Sequence, residues 1–232
     1  ARRYLIDIEE TSRRAAELCR QMLAYAGKGR FVVEPLNLSS VVEDMAHLLN
    51  ISVSKKAVLK FNLATELPAL EGDATQVRQV IMNLITNASD ALADQSGTIT
   101  LTTALITCDR NYLKGTYVDE NLTEGDYIYL EVADTGCGMP PEVVSRIFDP
   151  FYTTKFTGRG LGLAAVLGIV RSHGGSIKVY TEPNVGTSVK VLFPATDKIA
   201  VEPARPKRET DGWRGEGTIL LADDEDAVRN VA

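Results

Sequence analysis

The stretch Asp73–Asp94, DATQVRQVIMNLITNASDALAD, constrains the fold more than any other part of this sequence. Val77, Val80, Ile81, Leu84, Ile85, Ala88 and Leu92 recur at spacings of three and four, so a helix here presents one long apolar stripe. Such a stripe needs a broad surface to lie on, and the flanking segments offer one. "GTITLTTALIT" and "DYIYLEVAD" alternate as half-buried strands do, and "GSIKVYTEPNVGTSVKVLFP" reads as a hairpin turning at Pro183–Gly186. After a break at Pro35, Ser39 and Ser40 offer N-caps for an apolar helix over Val41–Val53. "AVLKFNLATELP" has strand character, residues 107–126 look like a long polar hairpin connection, and Leu161–Ser172 reads as a further helix. The expected fold class is α+β: a two-layer α/β sandwich of mostly antiparallel sheet with helices on one face.

The same helix carries a second, polar stripe. Asn83, Asn87 and Asp90 are spaced four and three apart, so their side chains share a face. Asparagine competes with the backbone and is a middling helix former. Two of them one turn apart are either a solvated face or carboxamide oxygens offered to a hard cation such as magnesium.

Two glycine segments raise a similar choice. In "EVADTGCGMP", Asp134 ends a strand and is followed by Gly136 and Gly138. This is a tight turn, or a buried carboxylate placed to accept a hydrogen bond from an amino group such as that of adenine. In the second reading the glycines let a purine approach the backbone. In "FDPFYTTKFTGRGLGLAAV", Gly158, Gly160 and Gly162 alternate. That spacing matches neither the Walker loop nor the dinucleotide fingerprint, and no strand leads into it.

Composition narrows the function classes. With 44% hydrophobic and 24% charged residues, the 232-residue chain is ordinary globular protein, long enough for one sizeable domain with appendages. A formal charge of −6 without an offsetting Lys/Arg cluster argues against a nucleic-acid partner. Cys19, Cys108 and Cys137 form no CxxC pair and read as reduced thiols. No apolar run approaches the roughly 18 residues of a membrane span and no signal peptide opens the chain, so the expected location is cytoplasmic, with any membrane anchor of a full-length protein lying elsewhere.

The two ends differ from the middle. Leu5, Ile8, Ser12, Ala15, Cys19, Met22 and Ala26 alternate spacings of three and four, a coiled-coil-type seam in one helix over residues 4–27 that Gly27 and Gly29 stop. Residues 197–216 have the Pro- and charge-rich composition of a linker, and "GTILLADDEDAVRNVA" begins a new strand and helix.

Taken together and in this order, "QVIMNLITNASDAL", "DTGCGM", "IFDPFYTTK", "GRGLGLAAV" and "GTSVKVLFP" resemble the asparagine box, the two glycine boxes, the phenylalanine box between them and the closing strand of the histidine-kinase catalytic domain. That domain has the Bergerat-type ATP-binding fold of the gyrase, Hsp90, histidine kinase and MutL superfamily. The resemblance implies the following organisation: residues 1–29 as the second helix of a dimerisation hairpin, 30–36 as a linker, 37–196 as the catalytic domain, 197–216 as a linker, and 217–232 as the start of a receiver domain, with Asp223 and Asp224 matching its acidic pair.

The resemblance also implies the site. Asn87 would hold Mg2+, and Asp134 the adenine of ATP, with Ala91, Gly136, Gly138, Met139 and Thr187 also nucleotide-binding. Asp149–Gly162 would be the ATP lid. There Gly158, Gly160, Leu161, Gly162 and Leu163 would follow the phosphates with their amides, helped by Lys155 and Arg159, while Phe148 and Phe151 anchor the lid in the core. Hydrolases of the superfamily place a general-base Glu four residues before the metal-binding Asn. Asn83 stands there instead; a carboxamide takes no proton in the relevant range, so Asn83 and Asn87 would be the catalytic pair, Asn83 orienting groups near the γ-phosphate without acting as base, which favours a kinase over an Hsp90-like ATPase.

The family's phosphoacceptor lies in a His-Glu-x-x-x-Pro stretch, and neither His47 nor His173 has that context; the expectation is that the acceptor helix lies outside this chain. The expected protein is therefore a piece of a hybrid sensor histidine kinase, dimeric at full length, with the acceptor helix and a receiver or response regulator as partners. The alternative is a nucleotide-binding and interaction module that is inert on its own.

Overall fold

The computed structural model describes residues 32–93, 95–118, 122–155, 160–198 and 200. The expected seam helix at 1–29, the receiver start at 217–232, and both Gly158 and Arg159 lie outside the described residues. The elements are β1 (Glu34–Leu36), α1 (Leu38–Ser52), β2 (Ala57–Leu63), β3 (Ala69–Gly72), α2 (Ala74–Leu92), β4 (Gly97–Cys108), α3 (Arg110–Leu113), β5 (Gly125–Asp134), α4 (Pro141–Val144), α5 (Gly162–Ser172), β6 (Ser176–Glu182) and β7 (Gly186–Thr196).

The strands form a seven-stranded sheet in the order β1-β3-β7-β5-β4-β2, with β6 also paired to β7. Every pair is antiparallel except β2 with β4, as the alternating patterns led one to expect. Alternation along β5 sends Ile128, Leu130 and Val132 to the helix-covered face and Tyr127 to the other. The main core joins these residues to Val42, Met45 and Leu49 of α1, to Val166, Ile169 and Val170 of α5, and to the α2 stripe. Val77, Val80, Ile81, Leu84, Ile85, Ala88 and Leu92 are all buried there. At about 1.5–3 kcal/mol for each large aliphatic side chain, α2 is better anchored than α1 or α5, the other long helices among the described residues.

Three expectations need correcting. The cap of α1 is Asn37, not Ser39 or Ser40: its carboxamide oxygen accepts from the Ser40 amide at 3.1 Å. The Ser39 hydroxyl is spent elsewhere, 2.7 Å from Thr103 Oγ1 and 2.8 Å from the Ala64 carbonyl oxygen. The stretch 30–36, expected as linker, contains β1, in which Pro35 faces Glu71 of β3. The long connection expected over 107–126 is shorter, because β4 runs to Cys108 and β5 starts at Gly125, with α3 between them. α3 sits over a small second cluster of Cys108, Leu113, Tyr127 and Leu192 on the sheet's other face. Burial there pushes the Cys108 thiol above its usual range.

α2 is capped by Asp73, whose carboxylate accepts from the Thr75 amide at 2.8 Å and the Gln76 amide at 3.2 Å. His173, at the end of α5, fixes the same corner. Its Nδ1 lies 2.7 Å from the Ile169 carbonyl oxygen, which can only accept, so Nδ1 carries the proton and Nε2 accepts from the Asp73 amide at 3.0 Å. His173 is thus a structural residue, whereas His47 is exposed on α1. Among the described residues no helix is long and apolar enough to cross a membrane.

Candidate functional site: a nucleotide-sized cavity between α2, α5 and the sheet

α2 crosses the sheet so that its polar stripe faces the start of α5, and the strand ends of β5 and β7 close the far side. Between them lies a cavity of about 530 Å³, within the roughly 300–1,000 Å³ range of small-molecule sites. Its walls include Asn87, Asp90 and Ala91 of α2, Asp134, Cys137, Gly138 and Met139 after β5, Lys155, Gly160 and Leu161 before α5, Gly162 and Leu163 at the start of α5, and Thr187 of β7. Eleven of the residues expected from sequence therefore meet at one cavity: Asn87, Ala91, Asp134, Gly138, Met139, Lys155, Gly160, Leu161, Gly162, Leu163 and Thr187.

Asp134 sits deep at the end of β5, paired with Thr187 of β7. Its Oδ1 accepts from the Gly136 amide at 2.8 Å. Burial raises its pKa above the usual carboxylate range, while hydrogen bonds from the Gly136 and Thr187 amides pull the other way. The loop that follows is held on both sides. The Cys137 amide donates to the Ala91 carbonyl at 3.1 Å, and the Cys137 carbonyl accepts from Asn184 at 2.7 Å. Met139 donates its amide to Thr181 Oγ1 at 2.9 Å, and that hydroxyl lies 3.0 Å from Thr187 Oγ1.

The glycines have specific reasons. A Cβ on Gly136 would stand 2.6 Å from the Ala91 carbonyl oxygen, so Gly136 lets the loop reach α2 and lies behind the cavity wall. Gly138 has φ +61, and a Cβ there would collide with the carbonyl of Glu182, the last residue of β6.

Asn83 does not line the cavity. Its Nδ2 donates to the Gly162 carbonyl at 3.3 Å, which ties the middle of α2 to the first turn of α5. α5 has no side-chain N-cap, so its first amides are open to an anion from the cavity. Asn87 points its Oδ1 to Lys155 Nζ, 2.9 Å away, and the same ammonium is 2.7 Å from Asp90 Oδ2.

The phenylalanines divide. Phe148 is buried and packs edge-on against Tyr117 at 4.5 Å, as expected of an anchor. Phe151 is 62% exposed, which overturns its reading as a core anchor. Its backbone has φ +68, and its amide donates to the Gly160 carbonyl at 2.8 Å, so the main chain closes the loop, not the ring.

The cavity is also lined by residues not expected in the site from the sequence: Tyr152, Thr153 and Thr154 from the loop, and Leu84, Ala88, Val132, Val143, Ile147 and Val189 from the apolar walls. The "FYTTK" run adjoins Lys155 and could have suggested the first group. The second group looks like ordinary core in the sequence.

With this geometry in place, the comparisons with known proteins identify the family. The family model described as histidine kinase-, DNA gyrase B-, and HSP90-like ATPase matches residues 72–197. The chain belongs to that family. It is 38% identical over 97% of its length to the sensor kinase CckA of Brucella abortus, covering 24% of that protein. To the sensory histidine kinase/phosphatase NtrB of Rhizobium meliloti it is 33% identical over 78% of its length, covering 46% of that protein. The chain thus spans a quarter to a half of the length of these curated relatives. Among solved structures, full-length ShkA in complex with AMPPNP superposes with a TM-score of 0.65 at 24% identity, over 86% of this chain and 40% of that one. The catalytic domain of histidine kinase ThkA gives a TM-score of 0.55 at 25% identity, over 72% of this chain and 98% of that one.

Proposed function

We propose that residues 37–196 form the ATP-binding catalytic domain of a sensor histidine kinase, which transfers the γ-phosphoryl group of ATP to a histidine presented by a dimerisation helix. The observation that carries this reading is the meeting of Asp134, Asn87, Lys155 and the α5 N-terminus around one cavity. Asp134 offers a carboxylate acceptor to the adenine amine. The α5 amides and Lys155 offer positive charge where the phosphates would lie.

Asn87 fits a divalent cation by its chemistry. Its carboxamide oxygen is a hard ligand that already accepts from a cationic group, with the Asp90 carboxylate beside it. Asn87 would hold Mg2+ there, and the ion would supply positive charge beside the phosphates. Asn83 stands at the position of a hydrolase base, but a neutral carboxamide takes no proton in the relevant range; its Nδ2 donates to the Gly162 carbonyl, so it orients α5. With no base at that position to activate water, the work of the site is positioning and charge neutralisation.

The wider reading follows the relatives. A dimerisation helix over residues 1–29, a receiver domain starting at 217–232, a full-length homodimer, a response-regulator partner and a cytoplasmic location all belong to this proposal. The ThkA structure solved with the response regulator TrrA is a precedent for such a partner.

The test is to mix the chain with its full dimerisation hairpin and γ-labelled ATP. Label on the hairpin histidine supports the kinase. Nucleotide binding without label supports an inert binding module, and steady phosphate release without hairpin label supports an ATPase.

A further inference from the structure

Lys155 does not simply point into the cavity. Its ammonium lies 2.9 Å from Asn87 Oδ1 and 2.7 Å from Asp90 Oδ2, on one face of α2. Its backbone is placed by the loop: the Lys155 amide donates to Thr153 Oγ1 at 3.1 Å, and the Phe151 amide donates to Gly160. The lysine side chain therefore occupies the carboxamide oxygen that the reading above gives to the metal.

We propose that Asp90 is a positioning residue that holds the Lys155 ammonium on Asn87 Oδ1, so that this lysine and the nucleotide's divalent cation exchange at one oxygen. The inference rests on the proposed metal role of Asn87. A magnesium ion sits roughly 2 Å from a ligand oxygen. With Lys155 Nζ at 2.9 Å from that same oxygen, the two cations would lie within about 5 Å of each other, where like charges repel. One must leave as the other arrives, and the released ammonium is then free for the phosphates.

The Asp90 carboxylate is what makes the resting position ionic, since Asn87 alone offers only a neutral acceptor. The side chains of Lys155 and Asp90 are 39% and 55% exposed, so the pair is screened and weak enough to be reversed by a ligand.

The test uses Mn2+ as a probe of the nucleotide-free full chain, read by electron paramagnetic resonance of the free ion. Lys155→Met should raise Mn2+ affinity about two- to fivefold, the worth of an exposed ion pair. Adding Asn87→Ala to that variant should abolish the gain, which would place the ion on Oδ1. Arg146→Gln removes a cation that lies over the Tyr152 ring, 4.3 Å from its centroid, and should leave Mn2+ affinity unchanged. Asp90→Asn leaves the ammonium only neutral acceptors and should raise Mn2+ affinity in the same direction. An unchanged affinity in Lys155→Met or in Asp90→Asn overturns the proposal, as does a gain that survives Asn87→Ala or is matched by Arg146→Gln. Binding of AMPPNP with Mg2+ to the wild type is measured in parallel. Failure there would sink the nucleotide reading itself, while intact binding with no Mn2+ effect would sink only the exchange.

Discussion

Replacing Asp134 with asparagine should move stability and binding in opposite directions. In the free protein the carboxylate is half-buried and held above its usual pKa by loss of solvent, so its charged form is costly at neutral pH. The Gly136 amide, which donates to Asp134 Oδ1 at 2.8 Å, can still donate to the oxygen of the substituted carboxamide, so this bond loses its charge assistance but is not broken. Asp134→Asn should therefore leave the apo melting temperature equal or higher. Toward ATP the sign reverses, because a charge-assisted acceptor for the adenine amine is lost and an NH2 group can face another donor. Hydrogen bonds to charged groups are worth about 1.5–3 kcal/mol, which is roughly a 10- to 150-fold loss of affinity. Calorimetric titration with AMPPNP, and with an analogue lacking the exocyclic amine, measures this directly. The analogue should lose much less. Equal losses for both ligands would show that Asp134 does not read the amine. A clearly lower apo melting temperature would show that the ionised carboxylate's own hydrogen bonds outweigh its desolvation.

The raised Asp134 pKa also predicts that ATP affinity falls with acidification at a higher pH than an ordinary carboxylate would give, while apo stability gains from the same protonation, since the folded state binds that proton more tightly than the unfolded chain; calorimetry and thermal melts across about pH 4–7 should show the two trends, and affinity that holds flat over that range would contradict them. Gly138→Ala should cost at least about 1–2 kcal/mol from its positive φ alone, and the collision with Glu182 should also weaken nucleotide binding; a variant with wild-type denaturation and affinity would refute the close approach. His173→Phe keeps the ring against Phe193 but leaves the Asp73 amide without its acceptor, so urea denaturation should show a loss of about 1–3 kcal/mol; no loss would mean the bond contributes nothing.

The helix α2 was legible because seven apolar residues and three polar ones repeat at two offset helical stripes, and both stripes kept their faces in the fold. β4, β5, β6 and β7 were legible from strict alternation. β1 and β3 were not, since "EPL" and "ALEG" are too short to show a period and one contains proline. Their pairing depends on the far end of β7 reaching Ala69 and Leu70. Asn37, Ser39 and Ser40 all stand within four positions as possible caps; the contact of Ser39 with Thr103, 64 residues away, and the Ser40 amide's donation to Asn37 Oδ1 leave the cap to Asn37.

In the site, the order of motifs located Asp134, Asn87 and the glycines. What sequence could not supply was direction. Asn83 turns to the Gly162 carbonyl, Phe151 turns out to solvent, and Lys155 turns to Asn87 and Asp90. Each of these choices is made by contacts between residues far apart in the chain, or by a single backbone φ, and leaves no local trace.

If one cavity holds adenine at Asp134 and metal at Asn87, a crystal structure of the full chain with AMPPNP and Mg2+ will show both together. The adenine amine should lie within hydrogen-bonding distance of Asp134, the ion on Asn87 Oδ1, the phosphates at the Gly162 end of α5, and Lys155 Nζ withdrawn from Asn87. A nucleotide bound elsewhere, or bound here with its metal away from Asn87 and its amine away from Asp134, would contradict this arrangement.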